Sequence, residues 1–298
     1  MNDGGITILQ WNCLGIYRKI PEIKRYLSSL DVSPDLLVLQ ETHIVERYSP
    51  IIHDYNIFRR DKSIFSGGLA IFMKQNLTEP EIATSASAHI ELQCLQVSNL
   101  HVYNIYIHPE CFLEEKDLDF LHKLPPRAIL VGDFNSRHFS WSTSDNRTTN
   151  QRGRVLSNAT EVNGLVLLNC SYPTRINLAA NAVNRWSLLD LTLASADIAS
   201  KCQTQVSDQL IGSDHCIIFT TVNSRVCRSA PEQSPRKWSI EHANWEKFSQ
   251  LVQARIETDI DPDFDVDKLN SKLTNCLISA AEVTIPRSKN IGKTPVAW

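Results

Sequence analysis

The chain has 298 residues, of which 42% are hydrophobic and 21% are charged, and its formal net charge is −3 at pH 7. This composition is ordinary for a globular protein, and the length accommodates one large α/β domain with an appendage. No run approaches the roughly 20 apolar residues of a membrane span, and no basic segment followed by an apolar one opens the chain, so we expect neither secretion nor membrane association. The eight cysteines include no Cys-x-x-Cys pair, which indicates reduced thiols.

Hydrophobic periodicity predicts alternating strands and helices. In chain order these are strand 6–12, helix 20–30, strands 36–41 and 69–72, a hairpin of 92–97 with 101–107, helix 113–124, strand 128–135, helix 151–163, and strands 165–168, 188–193 and 216–219. Several of the strands are continuous apolar runs, which indicates sheets covered on both faces. Residues 137–150 are polar and rich in turn-forming residues, so we expect a surface loop around Trp141.

The composition changes after Asn223, where prolines and charges interrupt the pattern. We therefore divide the chain into a domain of residues 1–223, a linker of residues 224–240 and a small helical extension of residues 241–298. The extension carries two amphipathic stripes that predict helices.

The strand 128–135 is the central element of the prediction, because its apolar run ends in Gly-Asp-Phe-Asn. Strand alternation would place Asp133 and Asn135 on one face and turn Phe134 into the core. Gly132 would let another backbone approach closely. Taken alone, this sequence favours a strand that runs into an Asx turn, and the other motifs of the chain argue against that interpretation.

Other predicted strands also begin or end in a group that binds metals or moves protons. These polar groups are Asn12, Glu41, Asp133, Asn135, Asp190, Asp214 and His215. The set is rich in oxygen and contains no cysteine, which favours Mg²⁺ or Mn²⁺ over zinc. Such a site suits phosphodiester hydrolysis, in which a metal neutralises phosphate oxygens and a base activates water. We expect Asp133 and His215 to lie at strand ends facing solvent.

Residues 137–185 contain six arginines and only two acidic residues. This is the segment that we predict to bind DNA, through Arg137, Arg147, Arg152, Arg154, Arg175 and Arg185. The alternative, an arginine-rich set of solvated loops without a ligand, stays open at this point.

Six short motifs in this order resemble the endonuclease/exonuclease/phosphatase superfamily. They are Gln10-Trp11-Asn12, Leu39-Gln40-Glu41-Thr42, Tyr106-Ile107-His108-Pro109, Gly132-Asp133-Phe134-Asn135, Leu189-Asp190 and Gly212-Ser213-Asp214-His215. Within the superfamily, the chain is most similar to the apurinic-type endonuclease domain that precedes the reverse transcriptase of non-LTR retrotransposons of the jockey or I-like kind. The chain ends without a polymerase, so residues 241–298 resemble the connector that would precede one.

The resemblance implies a fold, an activity and a role for each site residue. The fold is a four-layer α/β sandwich of two face-to-face, mainly antiparallel sheets flanked by helices. The activity is metal-dependent nicking of double-stranded DNA for target-primed reverse transcription, in the nucleus or in the cytoplasm before import, with element RNA and a separate polymerase domain as further partners. Glu41, Asn12 and Asp214 would hold the metal, Asp133 would activate water, and Asn135, Tyr106 and the pair His215–Asp190 would act on the phosphate.

One position departs from the repair-type relatives, which carry an acidic residue two positions after the first asparagine. This chain has Leu14 there, which favours action with a single metal ion. Two alternatives remain: an abasic-site repair nuclease or phosphatase of the same fold, and an inactive domesticated remnant that serves as a binding module. For Tyr106, an ordinary half-buried strand tyrosine is the alternative.

Overall fold

The computed structural model describes residues 5–63, 65–77, 81–86, 89–142, 148–170, 172–177, 186–223, 241, 243–257 and 266–286. The chain divides into two units, residues 1–227 and residues 228–298. The predicted linker, residues 224–240, lies outside the described residues.

The strands and helices alternate along the first unit, much as the hydrophobic pattern predicts. The strands are β1 (Ile6–Asn12), β2 (Leu36–Gln40), β3 (Tyr55–Arg60), β4 (Leu69–Lys74), β5 (Glu81–Ala86), β6 (Ile90–Val97), β7 (Leu100–Ile107), β8 (Ala128–Asp133), β9 (Leu165–Leu167), β10 (Arg175–Ile176), β11 (Trp186–Ser187), β12 (Asp190–Ser195), β13 (Cys202–Val206) and β14 (Ile218–Val222). The helices of this unit are α1 (Ile20–Ser29), α2 (Gln151–Val162) and α3 (Ala196–Ala199), with 3₁₀ helices at Tyr17–Lys19 and Glu115–Lys123.

Two six-stranded sheets have the orders β13-β14-β1-β2-β4-β3 and β5-β6-β7-β8-β12-β9, and β10 pairs with β11 as a separate ribbon. In each sheet one central pair is parallel, β1 with β2 and β7 with β8, and the other pairs are antiparallel. The prediction of two mainly antiparallel sheets is thereby confirmed.

Burial on both faces of the strands produces the layers. All five residues of β2 are buried. Leu36 and Val38 belong to a core shared with Val102 and Ile129 of the second sheet. Leu37 and Leu39 point the opposite way and pack with Ile23 and Leu27 of α1. The far face of the second sheet is covered by α2 and by the 3₁₀ helix Glu115–Lys123. The predicted four-layer α/β sandwich is confirmed.

A polar contact crosses the shared core close to the ends of β1 and β2. The Gln40 amide nitrogen donates to Oδ1 of Asn104 on β7 (2.7 Å), and the Asn104 amide donates to the carbonyl oxygens of Leu39 (3.0 Å) and Ala70 (3.3 Å). Because buried amides are costly unless paired, this contact fixes the alignment of the two sheets more specifically than apolar packing alone.

Three local predictions need correction. The helix over residues 113–124 is a 3₁₀ helix, and it is shorter. The strand ends at Asp133, because Asn135 has φ +46° and leaves the extended conformation. Trp141 is 4% exposed and packs in the same core as Phe134, so the loop that carries it is partly buried. Trp141 is buried although its stretch is polar, because it packs into the hydrophobic core of the same domain.

The second unit contains α4 (Trp245–Glu257) and α5 (Val266–Thr284). The two helices contact each other, and the Asn244 backbone N–H donates to the Thr284 carbonyl oxygen at 2.9 Å. Among the described residues, no helix of either unit combines the length and the apolar character needed to cross a bilayer.

Gly132 allows the close approach that its position predicts, and replacing it tests the packing of β7 against β8. A Cβ atom at this position would lie 1.9 Å from the Ile105 carbonyl oxygen. We expect Gly132→Ala to lower the free energy of unfolding by more than about 3 kcal/mol, because β7 and β8 must separate to accept it. Gly164→Ala is the control: it also has positive φ, but nothing lies within 4 Å, so the expected loss is about 1 kcal/mol. Equal losses for the two variants in urea unfolding would contradict this account.

Candidate active site

The polar groups singled out from the sequence meet at one end of the two sheets. Asn12 ends β1, and Glu41 follows β2, which lies parallel to it. In the second sheet, Asp133 at the end of β8 pairs with Asp190 at the start of β12 and with Tyr106 near the end of β7. Strand direction and register therefore bring together side chains that are far apart in sequence.

Asn12 connects the carboxylates of the two sheets. Its amide nitrogen donates to Glu41 Oε1 (3.0 Å) and to Asp133 Oδ2 (2.9 Å). Its amide oxygen accepts from the Leu14 backbone N–H at 3.2 Å. Both amide hydrogens are thus used to hold two acidic groups close to each other, and one oxygen lone pair remains available.

Glu41 is held in a backbone conformation that its neighbours impose. Its φ is +49°, an uncommon value for a residue other than glycine. Its carbonyl oxygen accepts from Gly15 N–H (2.7 Å), and the next residue, Thr42, donates its N–H to the Gly68 carbonyl (3.1 Å). The side chain accepts a hydrogen bond from Tyr106, whose pKa is raised well above its usual range by burial and by the nearby carboxylates. Tyr106 is therefore a neutral phenol next to Glu41.

Asp133 is buried and surrounded by donors. Asn135 donates its backbone N–H to Oδ1 (2.9 Å) and its side-chain amide to Oδ2 (3.1 Å). Burial raises the pKa of Asp133 to about 7, against the opposing effect of the positive charge of His215. A carboxylate with this pKa is a stronger base than an ordinary aspartate while still being ionised in part at neutral pH.

His215 forms a buried pair with Asp190. Its Nδ1 lies 2.8 Å from Asp190 Oδ2, and that oxygen also accepts from the Thr174 hydroxyl at 2.7 Å. Burial would lower the pKa of His215, but Asp190, Asp133 and Asp214 together outweigh it and raise the pKa to about 9. The free nitrogen, Nε2, lies 3.9 Å from Asp133 and 3.8 Å from Asp214. The imidazolium therefore presents one N–H toward the centre of the carboxylate group.

The expectation that Asp133 and His215 face solvent is wrong. Asp133 is 1% exposed and His215 is 3% exposed. Both remain charged or polar in this position because each has fixed partners, Asn12 and Asn135 for Asp133 and Asp190 for His215. Strand alternation alone could not show that the two sheet ends cover each other.

The predicted basic residues are placed differently from one another. Arg175 joins the site, where its Nε donates to Asp214 Oδ2 at 2.8 Å. Arg152 donates to main-chain carbonyl groups, among them those of Asn135 (2.9 Å) and Cys111 (3.1 Å). Arg137 is partly buried and Arg154 is exposed. Arg147 and Arg185 lie outside the described residues.

Sequence reasoning missed several residues that support the site. The Thr174 hydroxyl binds Asp190, the Ser213 hydroxyl donates to the Asn12 carbonyl (2.7 Å), and the Trp11 indole donates to the His215 carbonyl (3.2 Å). Ser213 and Trp11 belong to motifs that were noticed for their neighbours. Thr174 stands in a stretch without periodicity and gives no signal of its own.

The acceptor set fits a divalent cation. Four carboxylates converge here, Glu41, Asp133, Asp190 and Asp214. Arg175 and protonated His215 are in direct contact with them, and the His43 imidazole lies 3.6 Å from Glu41. Among the described residues, one group of three possible ligand atoms lies within 4.8 Å of one another, on Asp133, Asp190 and His215. The surplus of oxygen and of negative charge is the chemistry that Mg²⁺ or Mn²⁺ requires.

The chain is similar to known proteins in sequence and in fold. Residues 100–219 match the model of a family described as endonuclease-reverse transcriptase. The probable RNA-directed DNA polymerase from transposon BS of Drosophila melanogaster is 24% identical over 300 residues, covering 97% of this chain and 32% of that protein. The probable polymerase from transposon X-element of the same species is also 24% identical and covers 98% of the chain. The resemblance to retrotransposon endonucleases is confirmed.

Solved structures show the same fold. The endonuclease domain of TRAS1, a telomere-specific non-LTR retrotransposon, superposes with a TM-score of 0.56 at 16% identity, covering 73% of this chain and 98% of that domain. An AP endonuclease from Archaeoglobus fulgidus gives 0.59 at 17% identity, covering 73% and 99%. The chain spans about a third of the length of the transposon polymerases that it matches.

The His215–Asp190 pair predicts a pH dependence with a definite sign. Because the pKa of His215 is raised to about 9, its contribution to stability is complete below the unfolded value of about 6.5 and is lost as the pH rises through the folded value. Asp190→Asn should lower the His215 pKa below its ordinary value, since burial then acts without the main opposing charge. NMR titration of the imidazole and urea unfolding at pH 6 and pH 10 measure both effects. An unchanged His215 pKa in the variant, with exposed Asp208→Asn as control, would refute the pairing.

Proposed function

We propose that residues 1–223 form a Mg²⁺- or Mn²⁺-dependent endonuclease that nicks double-stranded DNA for target-primed reverse transcription. The observation that carries the proposal is the Asn12 amide that joins Glu41 to Asp133, with His215 Nε2 directed at the same centre. An anionic pocket next to one protonated imidazole suits a reaction in which charge develops on phosphate oxygens.

We assign the metal to Glu41, Asn12 and Asp214. The other candidate group, Asp133–Asp190–His215, is held together by its own hydrogen bonds: Nδ1 of His215 already binds Asp190. Asn12 and Glu41 keep oxygen atoms that can accept an ion without breaking these bonds. When bound, the ion would neutralise non-bridging phosphate oxygens and polarise the phosphate.

The chain's own residues supply the proton chemistry. Asp133 accepts a proton from the attacking water, and its raised pKa suits a base that works near neutral pH. Asn135 orients Asp133, because both of its amide hydrogens are engaged, with Asp133 (3.1 Å) and the Ile107 carbonyl (3.0 Å). His215, kept protonated by Asp190, donates Nε2–H to an oxygen of the transition state. Neutral Tyr106 positions Glu41.

We propose the role of the nick in the cell by analogy with the transposon relatives. A nick that leaves a 3′-hydroxyl would prime synthesis by a reverse transcriptase, so we propose a separate polymerase domain and element RNA as partners. We therefore propose that the working protein acts in the nucleus, or is in the cytoplasm before import. Arg175, which is already part of the site, and the exposed Arg154 are the described arginines that we assign to contact with DNA.

A supercoiled plasmid tests the proposed function directly. We expect relaxation of the plasmid with Mg²⁺ or Mn²⁺ and none in excess EDTA, and extension of the nick by a polymerase would report the 3′-hydroxyl. Strong nicking in EDTA would refute metal dependence. Cleavage confined to abasic duplex, or hydrolysis of phosphomonoesters alone, would instead support a repair nuclease or a phosphatase. Binding without hydrolysis of any substrate would support an inactive remnant.

Two substitutions locate the chemistry. Asp133→Asn and His215→Ala should each lower the nicking rate by roughly 10² or more, the usual scale for a positioned base or a charge-stabilising donor. Because both residues are buried, circular dichroism and urea unfolding must accompany the assay. The matched controls are exposed Asp208→Asn and exposed His122→Ala, which should retain the parent rate. Folded Asp133→Asn and His215→Ala proteins with the parent rate would show that the site is assigned wrongly.

Removal of residues 224–298 tests the domain boundary. The proposed ligands and the base all precede β14, the last strand of the first unit. We expect residues 1–223 to fold and to nick plasmid within about twofold of the full chain's rate. A folded fragment without activity would place part of the catalytic unit in the C-terminal segment.

A further inference from the structure

A second cluster of charged groups lies beside the catalytic centre, around a buried glutamate. Glu91 on β6 is 1% exposed. It accepts the Gly68 backbone N–H at 2.9 Å. Arg60 and Lys62 each lie 3.2 Å from its carboxylate, and His108 Nε2 lies 3.1 Å away. Burial would raise the pKa of Glu91, but His108, the Gly68 N–H and Lys62 outweigh it and lower the pKa, so Glu91 is an anion.

The cations of this cluster outnumber its anion. Glu91 carries one negative charge, whereas Arg60 and Lys62 carry one positive charge each and His108 adds a polarised imidazole 2.6 Å from the Lys62 ammonium. An ammonium has three donors and a guanidinium has five, so a single carboxylate cannot satisfy them. The side chain of Lys62 is 39% exposed. Glu91 is therefore buried beneath Arg60 and Lys62, and the N–H groups of these two side chains that do not bind Glu91 lie toward solvent.

The cluster adjoins the proposed active site through three connections. The His108 ring packs against the Tyr106 ring with centroids 4.9 Å apart, and Tyr106 hydrogen-bonds to Glu41. Glu91 is also the direct cross-strand partner of Tyr106. In addition, the Gly68 that donates to Glu91 accepts the N–H of Thr42, the residue after Glu41. These contacts place the cluster beside Glu41, so that a strand bound with its phosphate at Glu41 could reach these cations.

We propose that Arg60, Lys62 and His108 form a subsite for a second backbone phosphate of the DNA, next to the phosphate that is hydrolysed. This inference rests on the proposed function, whose substrate is a polyanion with regularly spaced phosphates. Glu91 fixes the cationic side chains before DNA arrives, so that less side-chain entropy is lost on binding. The subsite places the strand and contacts no reacting atom.

The alternative is a purely structural role, in which the cations only neutralise Glu91. The chain offers a comparison, because Lys74 is paired with one carboxylate, Asp35, at 3.4 Å. Lys74 is the last residue of β4 and is opposite Tyr55 in the β3–β4 register, so it lies at the end of the strand that is far from the active site. Lys62→Met and Lys74→Met therefore both remove an ion-paired lysine and keep an apolar stem, but they differ in their distance from the site.

Salt-dependent DNA binding distinguishes these two roles. Binding of the 298-residue chain to a short duplex is measured in EDTA, where no hydrolysis is expected, at several salt concentrations. We expect Lys62→Met to weaken binding by roughly three- to tenfold at 0.1 M salt and to reduce the slope of log K against log salt by about 0.9, the value for one phosphate contact. Lys74→Met should match the parent in both. The nicking rate at saturating DNA should change little for Lys74→Met.

A scan with single neutral methylphosphonates identifies the phosphate. At one position beside the nick, the substitution should weaken binding of the parent but not of Lys62→Met. The subsite is refuted if folded Lys62→Met keeps the parent's slope, or if every methylphosphonate weakens both proteins equally. If either of these outcomes is found while the parent protein nicks plasmid, the subsite is refuted and the proposed function is not. If the parent binds no duplex at all, both the subsite and the proposed function fail.

Discussion

The candidate site depends on one side chain, the amide of Asn12, which donates one hydrogen to a carboxylate of each sheet. Glu41 follows β2 in the first sheet, and Asp133 ends β8 in the second. Two carboxylates that accept from the same amide nitrogen repel each other, and the two hydrogen bonds offset that cost. The same two hydrogen bonds therefore join the sheets at their ends and keep the acidic groups within reach of one phosphate.

Burial then assigns different roles to similar groups. Asp190 shares its charge with His215 and Thr174, which keeps the imidazole protonated. Asp133 accepts hydrogen bonds from amide donors, lies 3.9 Å from His215 Nε2, and has a pKa that burial raises to about 7. One carboxylate thus holds a charged acid and the other is available as a base. This separation of protonation states is what general acid–base chemistry requires.

The sequence predicted nine of the fourteen strands described in the first unit and singled out most of the polar groups that meet at the candidate site, because apolar runs that end in polar groups reflect local chemistry. Strands β3, β5, β10, β11 and β13 were not predicted. It did not predict features that arise where the two sheets meet. Glu41 and Asn135 have positive φ values at places where residues distant in sequence contact them. Trp141 is buried in a core that includes residues distant in sequence. Glu91 was not recognised, since a glutamate in an alternating strand usually faces solvent and only the tertiary structure shows it to be covered.

The matching orders of the two sheets relate the halves of the domain by an approximate twofold pseudo-symmetry. The run β14-β1-β2-β4-β3 corresponds to β6-β7-β8-β12-β9, so that β1 and β7, and likewise β2 and β8, occupy equivalent places. Asp190 at the start of β12 and His215 just before β14 then correspond to Gly68 before β4 and Glu91 at the start of β6. A symmetric scaffold thus carries an acid–imidazole pair on one side and a carboxylate with attached cations on the other. In the proposed complex, a bound strand would meet a catalytic half and a holding half, and this difference would give it a direction across the protein.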